Sequence, residues 1–384
     1  MITKLDPKFN CKKASERIGA FKNRRVYECE PFGLALSTGQ RDPITGVPGF
    51  SLGSIIEVLG PEGSGKTMFH EHMAKHILEE NPTNEVFYLF FEPPHLGRMQ
   101  ALESQGLDMA RVLYEDYSNP DKGKELSSAE EGLNLMLNIA KESPQVKMCV
   151  IDSLGAMAVE KELFDDKGEF KALDTTPQMA ARASKVTMFM NQWLRLDPNT
   201  RPILVMINHY KQPIEPMGPA AYKNIEIGEN LKHKTPCGKA KSFAADVRIK
   251  LDAKRIDLDD GKTKHGLFNN RIQIGLEIHY DVFKNKNANQ QGSRKVIGKF
   301  YFEDAQFDII EEVLSYAEYL GIDGITKGTT GRWTIPAIDD KSRSMKQLKE
   351  VITPELIKDL KVKIAPRHNE LFAVKHKDKK DKDL

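Results

Sequence analysis

The sequence predicts an α/β fold built on a mostly parallel, doubly wound central sheet, and three observations predict it. Short apolar runs of strand length at 55–59, 86–91, 147–151 and 203–207 alternate with stretches of helical spacing at 68–79, 130–141 and 179–196, as strands joined by crossover helices do. Between the first strand and the first helix stands Gly60-Pro61-Glu62-Gly63-Ser64-Gly65-Lys66-Thr67, a glycine-rich turn ending in a cation and a hydroxyl. Further runs at 247–251, 271–278 and 299–302 follow without long helices between them, so the sheet is expected to end in antiparallel strands.

The elements around this core follow in order. Residues 1–31 are basic and polar with little to bury and are expected to form a small N-terminal oligomerisation element. The stretch 31–53, with Pro43, Gly46, Pro48 and Gly49, reads as a connector into a core spanning 32–308. After Phe307 the spacing of Ile309, Ile310, Val313, Leu314, Ala317 and Leu320 predicts an amphipathic helix closed by Gly321. That helix opens a small C-terminal lobe, 309–372. The tail 373–384 mixes lysines and aspartates without apolar periodicity and is expected to be disordered.

A chain of 384 residues, 40 % apolar and 29 % charged, can bury a large core. No run of eighteen apolar residues is present, and the first residues lack the apolar core of a signal peptide, so a cytoplasmic protein without a membrane partner is expected. Cys11, Cys29, Cys149 and Cys237 show no paired spacing, which indicates neither a zinc site nor a disulfide framework. The net charge of +2 says little about partners, because nucleic-acid binding depends on where basic groups cluster.

The octapeptide carries the clearest chemistry. Successive backbone N–H groups can cradle a triphosphate only where side chains are small, which Gly60, Gly63, Ser64 and Gly65 provide. Lys66 would reach the outer phosphates and Thr67 would ligate Mg²⁺, with Pro61, Glu62 and Met68 completing the turn into a helix whose N-terminus favours phosphate. ATP and Mg²⁺ are the cofactors expected.

Three strand endings supply the other half of such a site. Asp152 closes the run at 147–151, about 85 residues after the loop, where an acid can hold the Mg²⁺ shell beside Thr67; strand-ending Asp residues also cap helices. Glu92 follows the run at 86–91 and is the leading general-base candidate, against the plainer reading of an exposed carboxylate. Asn208-His209 ends the run at 203–207 and can sit between the outermost phosphate and the loop that follows, where a buried structural histidine is the alternative.

Taken in order, these motifs resemble the RecA family of recombination ATPases, with phage recombinases of the UvsX type as the nearest relatives suggested. The resemblance spans roughly residues 32 to 335. It rests on the octapeptide, Val150-Ile151-Asp152-Ser153-Leu154-Gly155-Ala156-Met157, Ala180-Ala181-Arg182, Ile207-Asn208-His209, Cys237-Gly238-Lys239-Ala240 leading into Ala244-Ala245-Asp246-Val247-Arg248, and Lys284-Asn285-Lys286. It implies a RecA-like P-loop ATPase core, with Lys66, Glu92 and His209 as catalytic residues and Asn208 and His209 as the sensor of the γ-phosphate. Lys284 and Lys286 would reach a neighbouring subunit's ATP, although Lys-x-Lys in a polar loop is ordinarily a solvated surface. In the register of His95 the family's catalytic glutamate falls on Pro94, two residues from Glu92, and Ala101 stands where bacterial members stack a tyrosine on adenine.

In such a core the segments 160–176 and 211–241 bind DNA. The second holds six lysines against three glutamates, a footprint for phosphates with salt-dependent affinity. Lys211, Lys223, Lys232, Lys234, Lys239, Gly238 and Arg182 are the expected contacts, and Tyr222 is placed to stack on bases; a solvated loop is the plain alternative. The first segment is acidic at Glu160, Glu162, Asp165 and Asp166, so its DNA role is weaker.

The function expected is an ATP-dependent homologous-recombination protein and DNA-dependent ATPase. It would form helical homo-oligomeric filaments on single-stranded DNA and exchange strands with a duplex, aided by single-stranded-DNA-binding and mediator proteins, in the nucleoid or an infected cell's cytoplasm. A nucleotide-gated filament scaffold with little hydrolysis, suggested by Pro94, and a hexameric helicase are the alternatives.

Overall fold

The strand that feeds the phosphate loop lies in the middle of the sheet, flanked on both sides by parallel neighbours. The computed structural model describes residues 23–93, 107–118, 128–165, 179–209, 236–257, 273–287 and 294–380, with Gly19, Gln100, Glu103, Lys167 and Lys171. The strands are β1 (Val26–Tyr27), β2 (Phe50–Ser51), β3 (Ile55–Leu59), β4 (Glu85–Phe90), β5 (Val112–Asp116), β6 (Val146–Asp152), β7 (Ile203–Asn208), β8 (Val247–Asp257), β9 (Gln273–Asn285), β10 (Arg294–Tyr301), β11 (Gln306–Phe307), β12 (Thr326–Lys327), β13 (Trp333–Ile335) and β14 (Asp339–Arg343). The helices are α1 (Phe32–Ser37), α2 (Lys66–Glu80), α3 (Ala129–Glu142), α4 (Glu160–Leu163), α5 (Met179–Trp193), α6 (Ala240–Ala244), α7 (Ile309–Tyr319), α8 (Met345–Lys349) and α9 (Pro354–Lys380).

The nine-stranded sheet runs β11-β10-β9-β8-β3-β7-β6-β4-β5. From β8 to β5 all pairings are parallel, and β9, β10 and β11 close the other end antiparallel. The mostly parallel sheet with an antiparallel end is therefore present. Side chains alternate between the faces of each strand. Val86, Tyr88 and Phe90 join Ile56, Val58 and the α2 residues Phe69, Met73 and Ile77 in one core. Phe87 and Leu89 join Cys149, Ile151, Leu204 and Met206 against α3 and α5 in another. Each fully buried side chain of this size contributes about 2 kcal/mol. Strands covered on both faces have no polar side, so they read as continuous apolar runs in the sequence.

Several elements differ from the sequence expectation. Residues 26–29 are not free of the core: Val26, Tyr27 and Cys29 are buried, and β1 pairs with β2. The connector holds α1, whose Phe32 and Leu36 enter a third core with Val313, Leu314 and Ala317 of α7, Trp333 and Ile335 of β13, and Leu360 and Ile364 of α9. A Cβ on Gly33 would lie 2.5 Å from the Tyr316 hydroxyl and 2.9 Å from Val296, so only glycine allows α1 to sit this close. The amphipathic helix at 309–320 is α7, and Gly321 follows it at φ 64°. Helix α9 continues to Lys380, into the segment expected to be disordered, because lysine favours helix and no Gly or Pro lies between Arg367 and Lys380.

A buried clasp joins the N-terminal strap to these parts. The Glu30 carboxylate meets His72 Nδ1 at 2.9 Å and His76 Nε2 at 3.3 Å on α2, while neighbouring Glu28 pairs with Lys361 of α9. These groups line a cavity of about 680 Å³ between the strap, α2, β11 and α9. Burial opposes charge on both partners, but the hydrogen bonds from His72 and His76 hold Glu30 well below the usual carboxylate range. The bond from Glu30 raises His76 in spite of its burial. A raised histidine stabilises the fold below its unfolded value of 6.5 and loses that contribution as pH climbs through the folded value. A lowered carboxylate contributes above 4.5 and loses it as pH falls. The clasp is therefore strongest between those values. Replacing His76 by glutamine is expected to cost about 1 kcal/mol near pH 6 and much less at pH 9. Thermal unfolding at both pH values checks this; an equal loss at both would rule out proton linkage.

Candidate active site

The phosphate loop leaves β3 and enters α2 through Gly65 at φ 87°, in the left-handed region. A Cβ there would strike Ile278 at 2.5 Å, and one on Gly60 would strike Ser64 Oγ at 2.3 Å and the Leu251 carbonyl at 2.8 Å. Gly63 also has positive φ, and its Cβ direction is open. The loop is thus tight where it crosses β8 and β9 and open on its outer side.

Its polar atoms fit a phosphate guest. Ser64 Oγ is buried and has no hydrogen-bond partner among the described residues. Lys66 is buried, and its ammonium donates to the carbonyls of Gly60 at 3.1 Å and Pro61 at 2.7 Å. Desolvation lowers its pKa, against the pull of Asp152, Glu92 and Glu62. A buried cation satisfied only by carbonyls of its own loop is a site for an anion. Thr67 is half-buried in the first turn of α2, Met68 is buried behind it, and Pro61 and Glu62 are exposed at the mouth. Asp152 ends β6 and comes within 3.5 Å of His70 Nε2, one turn beyond Thr67 on α2. ATP phosphates would be held by Ser64, Lys66 and the loop N–H groups, and Mg²⁺ by Thr67 and Asp152.

Three strand ends meet beside Lys66. Because β7, β6 and β4 are neighbours in the sheet, His209, Ser153 and Glu92 converge at their carboxyl ends. The backbone N–H groups of Phe91 and Glu92 donate to the Asp152 carbonyl at 2.8 and 3.3 Å, extending the β4–β6 pairing past the strand. Ser153 Oγ donates to Glu92 Oε1, and His209 Nε2 lies 3.1 Å from the same oxygen. The His209 contact is the main cause that holds the Glu92 carboxyl down to about 2; burial opposes it, and Ser153 and Lys66 assist. Glu92 is an ionised carboxylate facing the loop. Pro94, His95 and Ala101 lie outside the described residues.

Other expected site residues are placed differently. The buried Asn208 amide donates to Glu57 Oε1 at 3.2 Å, and its own oxygen accepts the His209 N–H at 3.0 Å; it faces β3 and aims the chain into His209. Lys284 lies inside β9, not in a polar loop, and pairs in register with Arg248. Its ammonium donates to the carbonyls of Ser242 and Phe243, and that of Lys286 to Phe243 and Ala244. Both lysines thus cap the C-terminal end of α6. Desolvation, then Lys286 and Arg248, lower Lys284 to about 8. Through Arg248, Lys284 stands level with Glu57 in the middle of β3, and Lys286, one residue beyond the Val247–Asn285 pair, stands level with its amino end.

Among the expected DNA contacts, Lys211, Tyr222, Lys223, Lys232 and Lys234 lie outside the described residues. Gly238 and Lys239 are exposed at the entry to α6. Gly238 has φ 74°, and a Cβ on it would press within 2.9 Å of Ala183. Arg182 is tied to Glu162 at 2.6 Å and to the Gly155 carbonyl at 3.0 Å, which anchors the segment after β6 to α5. Lys241, counted in the basic loop, is fully buried 3.6 Å from Glu57 and belongs to the interior. Sequence reasoning passed over Ser153 and Glu57; the legible signal for Glu57 was an acid in the middle of an apolar strand.

Comparison with known proteins shows the family. The RecA N-terminal domain matches residues 17–296. The chain is similar to Protein RecA of Helicobacter pylori strain G27, 29 % identical over 278 residues, which cover 72 % of this chain and 65 % of that protein. It is similar to Protein RecA of Aquifex aeolicus strain VF5, 27 % identical over 339 residues, 84 % of this chain and 80 % of that protein. A third, Protein RecA of Mycoplasmopsis pulmonis, is 29 % identical over 63 % of this chain and 59 % of its own length. The chain thus spans about two thirds of the Helicobacter protein it matches. Among the described residues no helix is long and apolar enough to cross a membrane.

Proposed function

We propose that this chain, which belongs to the RecA family, is an ATP- and Mg²⁺-dependent DNA-dependent ATPase that assembles as a helical filament on single-stranded DNA and promotes strand exchange with a duplex. The observation that carries the reading is the division of the site between two places. Ser64, Lys66, Thr67, Asp152, Glu92 and His209 gather at the carboxyl ends of the parallel strands. Lys284 stands level with the middle of β3 and Lys286 with its amino end, beside Phe243, which is 73 % exposed on α6. Two cations held on the carbonyls of α6 and an exposed aromatic beside them suit a second copy, stacked so that its loop meets them.

ATP would supply the transferable γ-phosphoryl group, and Mg²⁺, held by Thr67 and Asp152, would neutralise phosphate charge. Glu92 would take the proton of the attacking water, oriented by Ser153 and His209. His209 would report occupancy of the site to the segment 210–235, and so to the lysines proposed to hold DNA. A place among phage recombinases of the UvsX type, the helper proteins and the cellular compartment belong to the same proposal. Electron microscopy of the chain with single-stranded DNA and a non-hydrolysable ATP analogue tests it. Helical filaments are the expected result, whereas closed six-membered rings would point to a helicase.

A further inference from the structure

The geometry points to Glu57 as the positioning residue that couples the nucleotide site to the cations proposed for the subunit interface; the inference rests on the proposed function. Every residue of β3 is buried, and Glu57 is the charged one among four apolar side chains. Its fully buried carboxylate accepts from Asn208 Nδ2 at 3.2 Å, Ser242 Oγ at 3.3 Å and Arg248 Nε at 2.7 Å, and Lys241 Nζ stands 3.6 Å away. These partners lie 151 to 191 residues along the chain. A buried ion cluster is a weak source of stability compared with apolar packing, so its place in the central strand calls for another reason.

The partners supply that reason. On one side, Asn208 fixes the backbone of His209, whose ring meets Glu92. On the other, Ser242 and Arg248 fix α6 and the start of β8. The same Ser242 presents its carbonyl to Lys284, and the Arg248 guanidinium lies 4.8 Å over the Phe283 ring, beside Lys284. One carboxylate thus holds the sensor strand with one hydrogen bond, from Asn208, and α6 and the start of β8 with two, from Ser242 and Arg248. A shift of Asn208 is felt by the Ser242 and Arg248 contacts, because all three bind one carboxylate that is 0 % exposed to solvent.

Coupling between sites is measured by how far one ligand changes affinity for another. The readout is the ratio of single-stranded-DNA dissociation constants with ADP and with a non-hydrolysable ATP analogue, at one salt concentration. Wild type is expected to show a ratio of about ten or more. Glu57→Gln alone takes the carboxylate away from buried Lys241 and half-buried Arg248, so it is paired with Lys241→Met, which removes the buried cation. The double variant is expected to melt near wild type and bind the analogue within about twofold, with the ratio falling below about two. Ser242→Ala, which strands no charge, is expected to lower the ratio about threefold. Undiminished ratios in both variants would overturn the assignment of Glu57. A ratio near one in wild type overturns instead the proposed function, so the two failures are separable.

Discussion

Replacing Lys66 by alanine is expected to weaken ATP binding at least about a hundredfold and to remove hydrolysis and ATP-dependent DNA binding with it. The lysine is 7 % exposed, and its ammonium is already desolvated and aimed along the loop carbonyls, so little reorganisation precedes contact with phosphate. A charge-assisted hydrogen bond of this kind is worth about 1.5–3 kcal/mol, which at the upper end accounts for two orders of magnitude. Titration with a fluorescent ATP analogue measures the loss, and circular dichroism checks that the variant is folded. Binding within threefold of wild type would mean that the loop does not hold the triphosphate.

The second large effect is expected at Glu92. Its glutamine variant keeps the size of the side chain and can still accept from Ser153, but it cannot take a proton. Hydrolysis should fall about 10²- to 10⁴-fold while nucleotide affinity stays within about threefold, because Glu92 lies beyond the loop that binds phosphate. Single-turnover measurements with and without single-stranded DNA separate the two quantities. If turnover survives unchanged, another group activates the water, and the offset of two residues from the family's glutamate position is a real loss of function at this strand end.

The legibility of this fold varies with the physics of each element. Strands β3, β4, β6 and β7 were readable because burial on both faces leaves no polar positions in them. Strand β5 was not, since it is the sheet edge: Leu113 and Tyr114 are partly exposed, and no period of two survives in Val112–Asp116. Helix α1 was hidden inside a Pro/Gly-rich stretch because six residues are too few to show a helical period, and its burial comes from α7 and α9, far along the chain. The reach of β9 to Asn285 was missed for a related reason. Lysines read as loop, yet Lys284 is held in the strand by its register with Arg248 and by the carbonyls at the end of α6.

What the sequence determined by itself is the phosphate loop and the kind of sheet that carries it. A cradle of backbone N–H groups is a local object, written in eight consecutive residues, and parallel strands announce themselves through continuous apolar runs. What only the tertiary structure decided is which strand ends meet. Glu92, Ser153 and His209 share a contact across 61 and 117 residues because β4, β6 and β7 are neighbours in the sheet, and strand order is a property of packing, not of any local pattern. The same order placed Glu57 between Asn208 and α6, set Lys284 and Lys286 on the carbonyls at the end of α6, and put Lys241 inside the protein. A charged residue shows in the sequence as a charge; whether it faces solvent, a phosphate or another buried charge depends on what the rest of the chain brings against it.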